Sequence, residues 1–202
     1  MAIRPQPVAH ATLGKIGRLL LLENRAMRPD AECGHHSHPP IQLVHYQPRY
    51  AVACSALVRA SFERFVAADI SPEGQNHFFS IVARVLGDDY AAYTTFCALR
   101  NEEPVGIISM REKCHLSLFF CDPGSMGHGL GRMMLAALER HLISAHPTGC
   151  ELTVNSSLFA VNIYRRLGFE VCGEPTSNNG ILFQSMVKSI QPPEHASLND
   201  NL

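Results

Sequence analysis

The stretch that decides the fold is CHLSLFFCDPGSMGHGLGRMML, residues 114–135. Cys114 to Cys121 reads as a buried strand, closed by the turn Asp122-Pro123-Gly124. Then come Met126-Gly127-His128-Gly129-Leu130-Gly131-Arg132, in which glycines alternate with other residues just before a helical run. Strand, glycine-rich turn and helix together make an anion site from backbone alone. Glycine lets the chain approach a phosphate closely, and the unpaired N–H groups of the helix start point at it. The spacing excludes two common phosphate motifs. No Gly-Lys-Ser/Thr follows, so it is not the phosphate loop of nucleotide hydrolases. The order is G-x-G-x-G and not G-x-G-x-x-G, and no acidic residue follows on a second strand at the dinucleotide-binding distance.

Working outward, Leu130, Met134, Leu138 and Leu142 recur every four residues and define one buried face of the helix. His146-Pro147 and Gly149 end it. Cys150 to Val154 reads as a strand, and Ser156 or Ser157 can cap a short helix from Leu158 to Leu167 that Gly168 terminates. Phe169 to Gly173 and Ile181 to Ser189 complete the strands on this side. Upstream, Ile41 to Tyr46 reads as a strand, Tyr50 to Val66 has helical spacing, and Ser71-Pro72-Glu73-Gly74 breaks the chain before a helix from Gln75 to Leu86. Tyr93 to Leu99 and Val105 to Arg111 form a hairpin about Asn101 to Pro104. The order β-α-α-β-β-β-α-β-α-β-β predicts an α/β domain with a mixed central sheet of about seven strands.

The chain has 202 residues, 46% hydrophobic, with 17 Lys and Arg against 18 Asp and Glu. That size fits one domain, expected over residues 41–190, and the net charge of −1 argues against a general nucleic-acid binder. Seven cysteines, odd in number and scattered through apolar runs, read as reduced thiols of a cytoplasmic protein. No apolar run approaches the ~18 residues of a membrane span. Residues 1–40 read as a loose extension with a short amphipathic helix around the Leu19 to Leu22 run, and residues 191–202 as a disordered tail. Cys33, His35, His36 and His38 could bind a transition metal, but their spacing fits no structural zinc pattern, and no metal is expected.

The segment from Leu118 to Phe169 resembles the GCN5-related N-acetyltransferase (GNAT) family. Leu118-Phe119-Phe120-Cys121-Asp122-Pro123 matches the family's strand-four signature. Met126 to Gly131 matches its R/Q-x-x-G-x-G/A loop, and Ala160, Tyr164, Gly168 and Phe169 match its closing A-x-x-x-Y-x-x-x-G-F. The element order is also the family's, so the resemblance covers about Ile41 to Ile190. Asn155-Ser156-Ser157 and Asn179-Gly180-Ile181 look like one bacterial subset whose substrates are largely unassigned.

The resemblance implies acetyl-CoA as cosubstrate and an amine, small molecule or protein, as acceptor. Backbone N–H groups of Gly127, Gly129, Gly131 and Arg132 would hold the CoA pyrophosphate, within a loop that runs from Met126 through His128 and Leu130. The pantetheine arm would lie between splayed strands four and five, against the backbone of Phe119, Phe120 and Cys121. Asn155 and Asn162 would be further CoA contacts, and Tyr164 would be the general acid. Three positions depart from the family's usual residues: Met126 for Arg or Gln, His128 for Lys or Arg, and Ser157 for Asn.

The chemistry asks little of the protein. The amine must arrive deprotonated, the carbonyl must be polarised, and the leaving thiolate must be protonated, which a tyrosine neutral at pH 7 can do. For a proton relay, His115 begins strand four, where alternation places it on the face of Ser117 and Phe119. Glu63, Asp69 or Glu73 could position a cationic amine. Nothing supports a covalent step on Cys121, so direct attack is expected. The competing reading is a catalytically inactive CoA-binding or regulatory module. A homodimer is compatible with the chain, and no residue specifies one.

Overall fold

A computed structural model describes residues 39–193 except Lys113. The expected amphipathic helix, the Cys33 to His38 cluster and the tail beyond residue 193 lie outside the described residues.

Eight strands form the sheet, in the order β1-β2-β3-β4-β5-β8-β6, with β7 paired to β8. They are β1 (Gln42–His45), β2 (Thr94–Arg100), β3 (Glu103–Arg111), β4 (His115–Cys121), β5 (Cys150–Ser156), β6 (Glu170–Val171), β7 (Thr176–Asn178) and β8 (Ile181–Ile190). The helices are α1 (Ala51–Phe65), α2 (Pro72–Leu86), α3 (Leu130–Ala145) and α4 (Val161–Arg166). Among the described residues only β4 and β5 run parallel, and every other pairing is antiparallel. A parallel pair needs a crossover, and α3 supplies it.

The sheet buries two cores. On one face Leu130, Met134, Leu138 and Leu142 of α3 pack on Ile108, Leu116, Leu152 and Met186, with Tyr164 and Phe169 from the α4 region. The four-residue recurrence read from the sequence is this buried stripe. On the other face Cys54, Leu57 and Val58 lie along one side of α1 and meet Ile107 and Leu118, with Val82, Val85 and Leu86 of α2 alongside.

Three expectations change. The Ser71 to Gly74 segment does not break the chain but opens α2: the Ser71 hydroxyl accepts from the Gly74 N–H at 3.1 Å, and Pro72 takes the first helical position. Proline there forfeits no helical hydrogen bond. The sheet has eight strands, because Thr176–Asn178 folds back on β8 about Asn179 and Gly180, both at positive φ. That strand is wholly exposed, so it carries no apolar alternation to betray it. The strand expected from Phe169 to Gly173 pairs only over Glu170 and Val171.

Candidate active site

β4 and β5 pair only at His115 with Thr153 and Leu116 with Val154. Beyond Leu116 the edge of β4 that faces β5 has no strand partner among the described residues, and the two strands open into a V. A cavity of about 610 Å³ fills this opening. Its walls run from the glycine turn, past Phe119 and Cys121 and Tyr164, to the aromatic side chains of α1 and α2.

The glycine turn is built by local conformation. Gly127 and Gly129 have φ of +86° and +77°, a region that glycine enters without Cβ strain. A Cβ placed on either would have nothing within 4 Å. No protein atom therefore crowds the turn at these two positions, which leaves space where side chains would otherwise stand. Gly129 stands at the N-cap of α3 and has no side chain to accept from the first N–H groups of that helix. Upstream, Asp122 is fixed by its N–H donating to Val105 at 2.8 Å, and its carboxylate accepts from Ser125 at 3.2 Å. Ser125 in turn accepts from the Arg100 guanidinium at 3.1 Å. These bonds brace the strand-to-turn junction while leaving the glycines unencumbered.

Met126, Gly127, Gly129, Leu130, Gly131 and Arg132 all line the cavity, as do Phe119, Phe120, Cys121 and Asn155. Asn155 accepts from the Ser185 hydroxyl at 3.2 Å. His128 and Asn162 are exposed and outside the lining; Asn162 accepts from Arg165 at 3.3 Å. His128 belongs to the glycine turn and Asn162 to the exposed side of α4.

Tyr164 lines the cavity from α4 and is buried, its ring 5.2 Å from that of Phe169 and 6.0 Å from that of Phe119. Burial, with Cys121 nearby, pushes its hydroxyl well above the usual tyrosine range, so it stays protonated. The short helix is held at its start by Ser157, which accepts from the Ala160 N–H at 3.3 Å. At its end the Lys188 ammonium donates to the Leu167 carbonyl at 2.7 Å while pairing with Glu139 of α3. Gly168, at φ +88°, turns the chain out of the helix.

His115 also lines the cavity, but not on the face expected of it. Ser109 pairs with Leu118 while Met110 pairs with Leu116, so Ser117 is an extra residue in β4. This bulge resets the alternation. Leu116 shares the α3 face with Phe119, whereas His115, opposite Arg111, falls on the α1–α2 face with Leu118 and Phe120. Its Nδ1 hydrogen-bonds with the Thr153 hydroxyl at 2.9 Å. Burial first, then the Arg111 charge, lowers its pKa to about 4, so the ring is neutral at pH 7.

The α1–α2 side of the cavity is aromatic. Phe62 stacks on Phe78 at 4.5 Å, Phe78 leans on Phe120 at 5.7 Å, and Phe65 stacks on Phe159 at 5.0 Å. Among the described residues no Asp or Glu lines the cavity, and its charged lining side chains are Arg84, Arg111, Arg132 and Arg166. Glu63, Asp69 and Glu73, any of which could have positioned a cationic amine, are therefore not brought to it; Glu63 lies 3.8 Å from Arg59 on the exposed side of α1. Sequence reading passed over Thr153, Arg111 and this aromatic wall. Phe62 and Phe65 were visible as helical positions, but nothing in their spacing says that they border a cavity and not only a core.

Residues 66–190 match the acetyltransferase (GNAT) domain model. The chain belongs to that family. A GCN5-related N-acetyltransferase from Rhodopseudomonas palustris, also labelled aminotransferase class II, is 27% identical over 77% of this chain and 99% of its own, with a TM-score of 0.60. The PaiA N-acetyltransferase from Thermoplasma acidophilum, solved in complex with coenzyme A, is 16% identical over 74% and 98%, with a TM-score of 0.56. A GNAT-family acetyltransferase from Staphylococcus aureus is 12% identical over 75% and 100%, with a TM-score of 0.61. The last two likenesses show the fold alone. No curated protein matches the sequence. Among the described residues no helix is long and apolar enough to cross a membrane.

Proposed function

We propose that the protein transfers an acetyl group from acetyl-CoA to a primary amine by direct attack. The observation that carries this reading is the β4–β5 opening, which joins an unobstructed glycine turn to a buried, protonated tyrosine in one cavity. The residues fit the cosubstrate: Gly127 and Gly129 leave space where Cβ atoms would stand, and the start of α3 offers N–H groups to a pyrophosphate. The free edge of β4 from Phe119 to Cys121 offers backbone hydrogen bonds to an extended arm and an N–H to the thioester carbonyl. Tyr164 donates its proton to the departing thiolate. Burial, with the Asp122 charge, pushes the Cys121 thiol up to about 12, which disfavours the thiolate a covalent route would need. His115, with one ring nitrogen committed to Thr153, offers the other to the amine's proton.

The acceptor side favours an amine on an apolar or aromatic body that carries no further positive charge. Phenyl rings reward such a body. The absence of carboxylates among the described lining residues leaves a polycation unpaired. Acetyl-CoA turnover on a panel of arylalkylamines, aromatic amino acids, polyamines and aminoglycosides tests both parts. Arylalkyl compounds should give kcat/KM at least ~10-fold above polycations, a difference of about 1.4 kcal/mol. Tight CoA binding with no turnover on any amine would favour the inactive CoA-binding module. Preference for polycations would refute the acceptor class while leaving acetyl transfer intact.

A further inference from the structure

Away from the cavity, Cys114, His146 and Cys150 bring two thiols and an imidazole within 4.8 Å of one another. They come from three separate elements: the residue before β4, the residue after α3 and the first residue of β5. We propose that these three residues bind a zinc-class divalent ion, with solvent completing the coordination.

The geometry fits this class of ion. The Cys114 sulfur lies 3.5 Å from His146 Nε2, and the Cys150 sulfur lies within 4.8 Å of both. A tetrahedral ion with Zn–S of ~2.3 Å and Zn–N of ~2.05 Å holds sulfur and nitrogen about 3.5 Å apart. Two sulfurs and an imidazole are the donor set of zinc, not of calcium or magnesium. Cys114, Cys121 and Cys150 are all free thiols, so no disulfide claims the pair.

The backbone serves the convergence. Cys114 adopts φ +51°, a left-handed conformation uncommon outside glycine and held only where surroundings impose it. Between His146 and Cys150 the chain closes in a turn: the Gly149 N–H donates to the His146 carbonyl at 2.9 Å, with Gly149 at φ +87°. That turn places residues four apart on the same ion. Cys114 is buried, Cys150 half-buried and His146 exposed, so an ion has an entry path and a free position toward solvent.

The location gives the ion a role. The Cys114 carbonyl accepts from the Thr153 N–H at 2.9 Å, and Thr153 holds His115. The cluster therefore sits beside the two paired positions of β4 and β5, where the V is hinged. An ion there fastens α3, β4 and β5 together at the root of the cavity, leaving the reacting groups untouched.

The test uses the full chain, purified in reductant, stripped with chelator and reloaded with zinc or cobalt. Wild type is compared with Cys150→Ser and, because a partly buried thiol is being altered, with the exposed His146→Ala. Cys33, His35, His36 and His38 are present in all three, so differences report only this site. Wild type should take up one zinc more per chain than either variant. Its cobalt form should show a thiolate-to-metal charge-transfer band that Cys150→Ser weakens. Zinc at about a hundredfold over Kd should raise its Tm by roughly 5–10 °C, a gain that both variants lose. Equal zinc uptake by all three proteins would overturn the proposal, as would a wild-type chain whose Tm ignores zinc.

Discussion

Tyr164 and Gly129 illustrate two ways in which one atom decides a function. Tyr164 is held by Phe119 and Phe169 and keeps its proton because burial penalises the phenolate. Removing its hydroxyl leaves the ring packing intact, so Tyr164→Phe should cost kcat about 10²–10³-fold while KM for acetyl-CoA and Tm stay close to wild type. Steady-state kinetics beside a thermal melt would check the split; a large fall in Tm would mean that the hydroxyl is structural. Gly129 stands at φ +77° with open space beyond it. An alanine there meets no protein atom, so Gly129→Ala should destabilise by only the left-handed strain, about 1–2 kcal/mol. CoA affinity should fall more, by ~10-fold or beyond, because the methyl crowds the turn proposed to hold the pyrophosphate. Calorimetric titration with CoA would measure it, and unchanged affinity would place the pyrophosphate elsewhere.

At the scale of elements, the N-terminus of α2 and the β7–β8 turn are fitted to each other. A Cβ on Gly74 would run into the carbonyl of Gly180, and the Ser71 hydroxyl donates to that same carbonyl at 3.3 Å. Asn179 and His77 approach within 3.4 Å across the same seam. His77, Phe78, Asn178, Ile181 and Phe183 from these two elements line the cavity, so their contact sets the shape of its far wall. Gly74→Ala should force them apart, lowering stability by about 1–3 kcal/mol and raising KM for the amine more than KM for acetyl-CoA. Denaturant melts and paired KM measurements would test this. Equal rises in both constants would show that the seam does not shape the acceptor end. The β4 bulge works at this scale as well: one extra residue at Ser117 turns His115 to the α1–α2 face.

At the scale of the molecule, His115 couples the site to global stability. Its pKa in the fold is about 4 against an ordinary 6.5, so folding favours the neutral ring. The stability this contributes is complete above about pH 6.5 and is lost as pH falls toward 4. Tm should decline over that window, and His115→Gln should decline less steeply over the same range. Parallel slopes for the two proteins would mean that the histidine titrates normally. The same molecule-wide packing explains the cavity. Two cores, one on each sheet face, support β4 on both sides while its edge toward β5 stays open.

Much of this was written along the chain. The glycine turn, the α3 stripe, the helix stop at Gly168 and the Tyr164 spacing are local signals, because backbone conformation and helical periodicity depend on near neighbours. They sufficed to identify the family's architecture, and most of the residues singled out from the sequence border the cavity. Tertiary structure alone decided the rest. The bulge that reverses His115 depends on register with β3, and the exposed β7 on pairing with β8. The lack of carboxylates among the described residues of the acceptor wall depends on which faces of α1 and α2 turn inward. The gathering of Cys114, His146 and Cys150 likewise joins residues 36 positions apart across a parallel crossover, a distance over which no local pattern in sequence can speak.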